Sequence, residues 1–274
     1  MTLSSTDAPA PPAALTVTGL SSSYGARSIL SDISFDVRQQ EIFVIMGSSG
    51  AGKTTLLRHL LGLSAPDQGR IELLGEMLHP TTREQLFRLR RKIGVAFQHG
   101  ALINSMSVID NIELPLRQHT RLDRSTIRIM SRMKLELMNL AGVEDYMPAQ
   151  LSGGMLKRAG LARAVVMDPR VLFFDEPSAG LDPVTAAELD ELIVQLRDAL
   201  RMTIVVVTHA MESATKIADR IMVLGDTRVR ALGTLEEIQN SSDEYVQSLL
   251  HRRVRRVRSD DDAYVDRLTA AIDD

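Results

Sequence analysis

The chain has 274 residues, 44% of them hydrophobic and 24% charged, the balance of a folded, water-facing protein with room for one large core or two modest ones. A formal net charge of −3 gives no global reason to expect nucleic acid, and an aromatic content of 4% with no Trp argues against a base-stacking platform. The absence of Cys excludes disulfides, thiolate metal sites and cysteine nucleophiles.

Residues 1–14 are rich in Ser, Ala and Pro, with no early positive charge and no apolar core; this predicts a flexible segment rather than a signal peptide. The apolar runs that follow are only a few residues long, whereas a membrane-spanning helix needs about 20, so any membrane role is expected to come through a partner. Short strands are predicted at 15–18, 33–37, 42–46, 93–97, 171–174, 204–207 and 221–224. Helical patterns fill 125–141, 155–167, 183–200 and 211–218. Strands alternating with helices predict an α/β fold around a mostly parallel sheet, with an antiparallel β flank formed before residue 42. The piece from 100 to 150 has helical patterns and no convincing strand, which predicts a helical insertion in the core.

Chemistry begins at GSSGAGKTT, residues 47–55, which satisfies the phosphate-loop pattern G-x-x-x-x-G-K-[ST]. The apolar strand EIFVIM precedes it and the helix-forming LLRHLLG follows. The segment Gly47, Ser48, Ser49, Gly50, Ala51, Gly52, Lys53, Thr54 and Thr55 is therefore expected to cradle a nucleotide's phosphates with backbone N–H groups. Lys53 would reach the β- and γ-phosphates, and Thr54 would place its hydroxyl on Mg²⁺.

The second block, VLFFDE at 171–176, is an apolar strand ending in two carboxylates. Asp175 is the candidate Mg²⁺ ligand, and Glu176, one residue on, is the candidate general base for an attacking water. The third block, LSGGM at 151–155, opens a helical pattern. Ser152 can simply cap that helix, or the small residues can leave an open anion site at its N-terminus, facing a phosphate from another molecule.

Together these blocks resemble the nucleotide-binding domain of ABC transporters, over roughly residues 15–239. The resemblance runs in order through the phosphate loop, Gln98 ending the strand IGVAF, LSGGM, FFDEP, SAGLD at 178–182 and His209 ending the strand IVVVT. It implies the phosphate-loop NTPase fold of that family, in three parts. These are a flexible segment 1–14, a nucleotide-binding domain 15–240 with a helical subdomain at about 100–168, and a helical, charged extension 241–274.

It further implies that Tyr24 stacks on adenine, that Gln98 touches Mg²⁺, and that His209 contacts the γ-phosphate or the water. Ser152, Gly153, Gly154 and Met155, with Asp182, would face the ATP of a second protomer. The family therefore implies ATP and Mg²⁺, a head-to-tail homodimer, and transmembrane permease subunits at the cytoplasmic face of the inner membrane.

Met155 stands where most members carry Gln. With FQHGAL at 97–102 and SMSVIDNIELPLRQHT at 105–120, it makes the chain similar to ATPases of bacterial lipid-trafficking transporters that work with MCE proteins. That similarity implies a phospholipid cargo, an MCE-type lipid-binding partner and a small regulatory subunit. An importer or exporter of another solute is the alternative, and a relative acting on ribosomes or DNA a remoter one. The insertion, especially the apolar stretch 102–116, is expected to dock a permease helix. The tail HRRVRRVR at 251–258 reads either as a basic patch for anionic headgroups or a partner, or as a solvated helix.

Overall fold

The computed structural model describes residues 13–98 and 100–251. The expectations for residues 1–12 and for the basic tail beyond 251 lie outside the described residues. The chain opens with a long hairpin, β1 (Ala13–Tyr24) and β2 (Arg27–Arg38), then enters β3 (Ile42–Met46) and α1 (Lys53–Leu60). β4 (Gln68–Leu73), β5 (Glu76–Met77), α2 (Arg83–Arg90) and β6 (Ile93–Ala96) follow. Next come α3 (Val108–His119), α4 (Arg124–Leu137), a 3₁₀ turn (Pro148–Gln150) and α5 (Gly153–Val165). β7 (Val171–Asp175), α6 (Pro183–Leu200), β8 (Thr203–Thr208) and α7 (Met211–Ile217) continue the alternation. The described chain closes with β9 (Arg220–Gly225), β10 (Arg228–Gly233), α8 (Leu235–Gln239) and α9 (Glu244–Leu250).

The strands form two sheets. One is antiparallel, in the order β2-β1-β4-β5; this is the expected flank, although β1 and β2 are far longer than the apolar cores at 15–18 and 33–37 suggested. The other runs β10-β9-β3-β8-β7-β6, parallel throughout except for the β10 hairpin at its edge.

The parallel strands are continuous apolar runs because both faces are covered. Side chains alternate across a strand, and the two sets enter different cores. Phe43, Ile45, Phe173, Val205 and Val207 pack toward the antiparallel sheet and α1 with Val17, Phe35 and Leu56. Val44, Met46, Leu172, Phe174, Ile204 and Val206 pack on the other face with Leu161, Val165, Leu192 and Ile193 of α5 and α6. Each such side chain, fully buried, contributes about 1.5–3 kcal/mol. Three adjacent strands with no freedom to shift therefore carry the loops at their carboxyl ends.

Between Ala96 and Val171 the regular elements among the described residues are all helical. Asn111 on α3, fully buried, ties down the loop that enters this layer. Its Oδ1 accepts from the Ile103 N–H at 2.7 Å, and its Nδ2 donates to the carbonyls of Ile103 and Ser107 at 3.1 and 3.0 Å. Most of the apolar stretch 102–116 turns inward: Val108, Ile109, Ile112 and Leu116 are at most 1% exposed. Among the described residues no helix is long and apolar enough to cross a membrane.

Candidate nucleotide site

The strand order puts three chemical loops side by side. β3 lies next to β8, pairing Met46 with Thr208, and β8 lies next to β7, pairing Val207 with Asp175. The loop after β3, the carboxylates at the end of β7 and the histidine after β8 thus meet at one sheet edge. That is where open α/β sheets bind ligands.

The loop at 47–55 folds as its glycines allow. Gly52 is the N-cap of α1 at φ 98°, a left-handed conformation that disfavours any side chain. Other helices are capped by side-chain oxygens of Thr82, Ser107, Asp123, Ser152, Asp182, Thr234 and Asp243. α1 has no side-chain cap. Its first N–H groups and the positive end of its dipole are thereby left for an anion. The Lys53 ammonium folds back over the loop, donating to the carbonyls of Gly47 and Ser48 at 2.8 and 3.1 Å. Burial lowers its pKa, and the charges of Glu176 and Asp175 oppose that shift. Asp175 is shifted upward, first by burial and then by Glu176, with Lys53 pulling the other way. A cation and two carboxylates are held together in a partly dry space, so each feels the others strongly.

Glu176 is the most constrained of the three. Its backbone sits at φ 49°, a left-handed conformation that costs a non-glycine residue about 1–3 kcal/mol. Its N–H donates to the Val207 carbonyl at 2.8 Å, which anchors it on the neighbouring strand. The carboxylate then accepts from the Thr208 hydroxyl at 3.0 Å and the His209 N–H at 3.3 Å, and lies 2.8 Å from His209 Nδ1. The Glu176 side chain is 14% exposed and that of His209 63%, so the pair runs from the protein interior to the open cleft.

The cleft measures about 580 Å³ and is lined by Ser49, Gly50, Gly52, Lys53, Thr54, Thr55, Gln98, Asp175, Glu176 and His209, with Arg27, Ile29 and Val207.

A family model described as ABC transporter matches residues 30–179. The chain belongs to the ABC transporter family. It is 42% identical over 226 residues, 82% of its length and 84% of the relative's, to the intermembrane phospholipid transport system ATP-binding protein MlaF of Escherichia coli K12. It is 39% identical over 240 residues, 88% of its length and 69% of the relative's, to a probable ribonucleotide transport ATP-binding protein, mkl, of Mycobacterium leprae.

Among solved structures it resembles the ATP-binding cassette MJ0796 in a dimeric post-hydrolysis state bound to ADP and Pi. The TM-score is 0.74 at 29% identity, covering 81% of this chain and 98% of that one. It also resembles cbiO1 from Clostridium perfringens, with a TM-score of 0.78 at 28% identity, covering 87% and 95%. As a member of this family the chain is an ATP-binding ATPase with the fold expected of it.

Not every sequence-predicted residue of this ABC ATPase enters the cleft. Tyr24 ends β1, paired with Arg27 across the hairpin, and its ring is 58% exposed. Ser152 accepts from the Met155 N–H at 3.3 Å as the cap of α5. Asp182 accepts from the N–H groups of Val184 and Thr185 at 3.1 and 3.0 Å as the cap of α6. Met155 packs against the core. Neither Ser152–Gly154 nor Asp182 lines the cleft, whose lining instead gains Arg27 and Ile29, which no motif marked.

Sequence reading also missed Lys157, on the first turns of α5 and 7% exposed. Its ammonium donates to the carbonyls of Glu176, Pro177 and Ala179 at 3.3, 2.5 and 2.6 Å. α5 is thereby fastened to the segment that joins Glu176 to Asp182. In sequence a lysine in a helical run has no signal that separates this from a solvated one.

Proposed function

We propose that this chain is the ATP-hydrolysing subunit of a transporter that moves phospholipid, working as one of two copies at the cytoplasmic face of the inner membrane. The observation that carries the mechanism is the carboxylate of Glu176, held by Thr208 and His209 in the same cleft as Lys53 and the phosphate loop. In this reading the loop N–H groups and Lys53 hold the phosphates, Glu176 takes the proton of the attacking water, and His209 orients the water or the γ-phosphate.

Thr54, Gln98 and Asp175 bring a hydroxyl, an amide and a carboxylate oxygen to that cleft, the donor chemistry Mg²⁺ accepts. These three side chains would hold the ion beside the phosphate oxygens of a bound nucleotide. When bound, Mg²⁺ supplies neutralisation of the charge developing on those oxygens.

Ser152, Gly153 and Gly154 stand outside their own chain's cleft, which supports their serving the ATP of a second copy in a head-to-tail pair. The dimeric cassette among the structural relatives supports the same arrangement. Tyr24, exposed at the hairpin end, is free to stack on adenine. The phospholipid cargo, and with it an MCE-type partner and a small regulatory subunit, rests on the likeness to the phospholipid transport ATPase. The mycobacterial relative is named for another cargo, and an importer or exporter of such a solute is the competing reading.

The permease is expected at a groove of about 410 Å³ between the sheet edge and the helical layer, whose lining joins Phe87, Ile93 and Pro115 to Arg90, Arg91 and Arg163. The inward-facing stretch 102–116 contributes little besides Pro115. Phe87 is 51% exposed, so Phe87→Glu leaves the fold intact while replacing the groove's exposed aromatic surface with a carboxylate that opposes its arginines. ATPase activity of the chain alone should then be unchanged, and its stimulation by the permease in phospholipid vesicles should be lost. Full stimulation of the variant would remove the groove from the proposal.

A further inference from the structure

The C-terminal helix reaches the phosphate loop through one side chain. Tyr245 on α9 is 8% exposed and packs in the core. The Ser48 N–H donates to its hydroxyl at 3.1 Å, the Ser48 Oγ lies 2.8 Å from it, and the hydroxyl donates to the Leu224 carbonyl at 3.3 Å. With its proton on Leu224, the phenolic oxygen accepts from both donors of Ser48, which uses its full hydrogen-bonding capacity.

The ring is aimed at the loop by everything around it. A Cβ on Gly225 would lie 2.4 Å from Tyr245 Cε1, so only glycine lets the ring rest on the end of β9. The Arg230 guanidinium on β10 sits 5.9 Å from the ring centroid. The same arginine holds Asp243 Oδ2 at 2.7 Å, and Asp243 Oδ1 caps α9 by accepting from the Tyr245 and Val246 N–H groups at 2.8 and 3.1 Å. Strand, cap and ring form one unit, and its polar tip ends on Ser48. A phenylalanine would fill the same volume, so only the hydroxyl is specific to the loop.

We propose that Tyr245 is a positioning residue for the phosphate loop, its hydroxyl holding Ser48 in the conformation that binds ATP. The proposal rests on reading 47–55 as the loop that holds the phosphates. The other side-chain tie on this part of the loop is Lys53, whose ammonium sits on the Gly47 and Ser48 carbonyls. When Lys53 turns to the phosphates, those carbonyls lose its ammonium, and Tyr245 is the side-chain tie that stays on Ser48, beside the Ala51 N–H on its carbonyl at 3.2 Å. Without it the loop samples other conformations, and the apparent affinity falls by the fraction that remains competent.

The test is Tyr245→Phe in the full chain, with the parent, Val246→Ala and Ser48→Ala measured beside it. Loss of one hydrogen bond's worth of loop bias should raise KM and the Kd of a fluorescent ATP analogue about two- to five-fold while kcat stays within about two-fold. The effects of Tyr245→Phe and Ser48→Ala on Kd should be less than additive. Val246 is fully buried in the same helix, so its truncation lowers the melting temperature without moving Kd. An unchanged Kd in Tyr245→Phe, or a fall in kcat at constant Kd, overturns the proposal. If that variant does not accumulate folded, amide exchange in the nucleotide-free parent decides. Protection of the Ser48 N–H supports the tether, and exchange at the solvent rate refutes it. A parent that binds no ATP would instead sink the reading of the loop itself, a separate failure.

Discussion

Glu176→Gln lowers ATP turnover by a factor of about 10²–10⁴, the usual contribution of a positioned general base, and leaves ATP binding at the parent level. The amide has the same shape and keeps the same neighbours. Its oxygen still accepts from the Thr208 hydroxyl and the His209 N–H, and its nitrogen faces His209 Nδ1, which accepts in the tautomer protonated at Nε2. What is lost is the capacity to take a proton from water. Because the γ-phosphate then persists, the pair of chains closed around ATP should persist too. Single-turnover hydrolysis reads the first effect, and light scattering with ATP present reads the second. Parent-rate hydrolysis by the variant would remove Glu176 from its role.

Lys53→Met produces the opposite pattern, a failure to bind rather than a failure to react. The ammonium lines the cleft beside the loop amides, held close to Asp175 and Glu176. A charge-assisted hydrogen bond contributes about 1.5–3 kcal/mol, so ATP affinity should fall by about 10- to 150-fold, with turnover following. Lys53→Arg should not restore it, because a planar fork cannot replace a compact ammonium that reaches two carbonyls from one point. Titration with a fluorescent ATP analogue checks both variants. The two predictions separate cleanly: Glu176→Gln holds nucleotide and accumulates a pair, whereas Lys53→Met does neither.

Much of this was legible in the sequence for one physical reason. The strands that carry the chemistry are buried on both faces, so β3, β7 and β8 are unbroken apolar runs, and each ends at a polar motif. One cap was legible as well: Ser152 sits where a short oxygen side chain begins a helix and does cap α5, whereas the capping of α6 by Asp182 was not read from the sequence.

The edges were not. β4 reads QGRIEL with only two buried residues, and β10 reads RVRALG with one, so neither shows an apolar stripe. α9 is seven residues long, too short for periodicity to declare it. Lys157 and Tyr245 act through contacts that depend on the packed fold, and Tyr245 meets Ser48 across 197 positions of sequence. Arg27 and Ile29 line the cleft without belonging to any motif.

The most direct test of the account is to extract the chain gently from its native membrane and identify what accompanies it. Two copies of the chain with a multi-span permease, an MCE-type protein and bound phospholipid are expected. Recovery with a solute-binding protein and no lipid, or with ribosomes or DNA, would contradict that expectation.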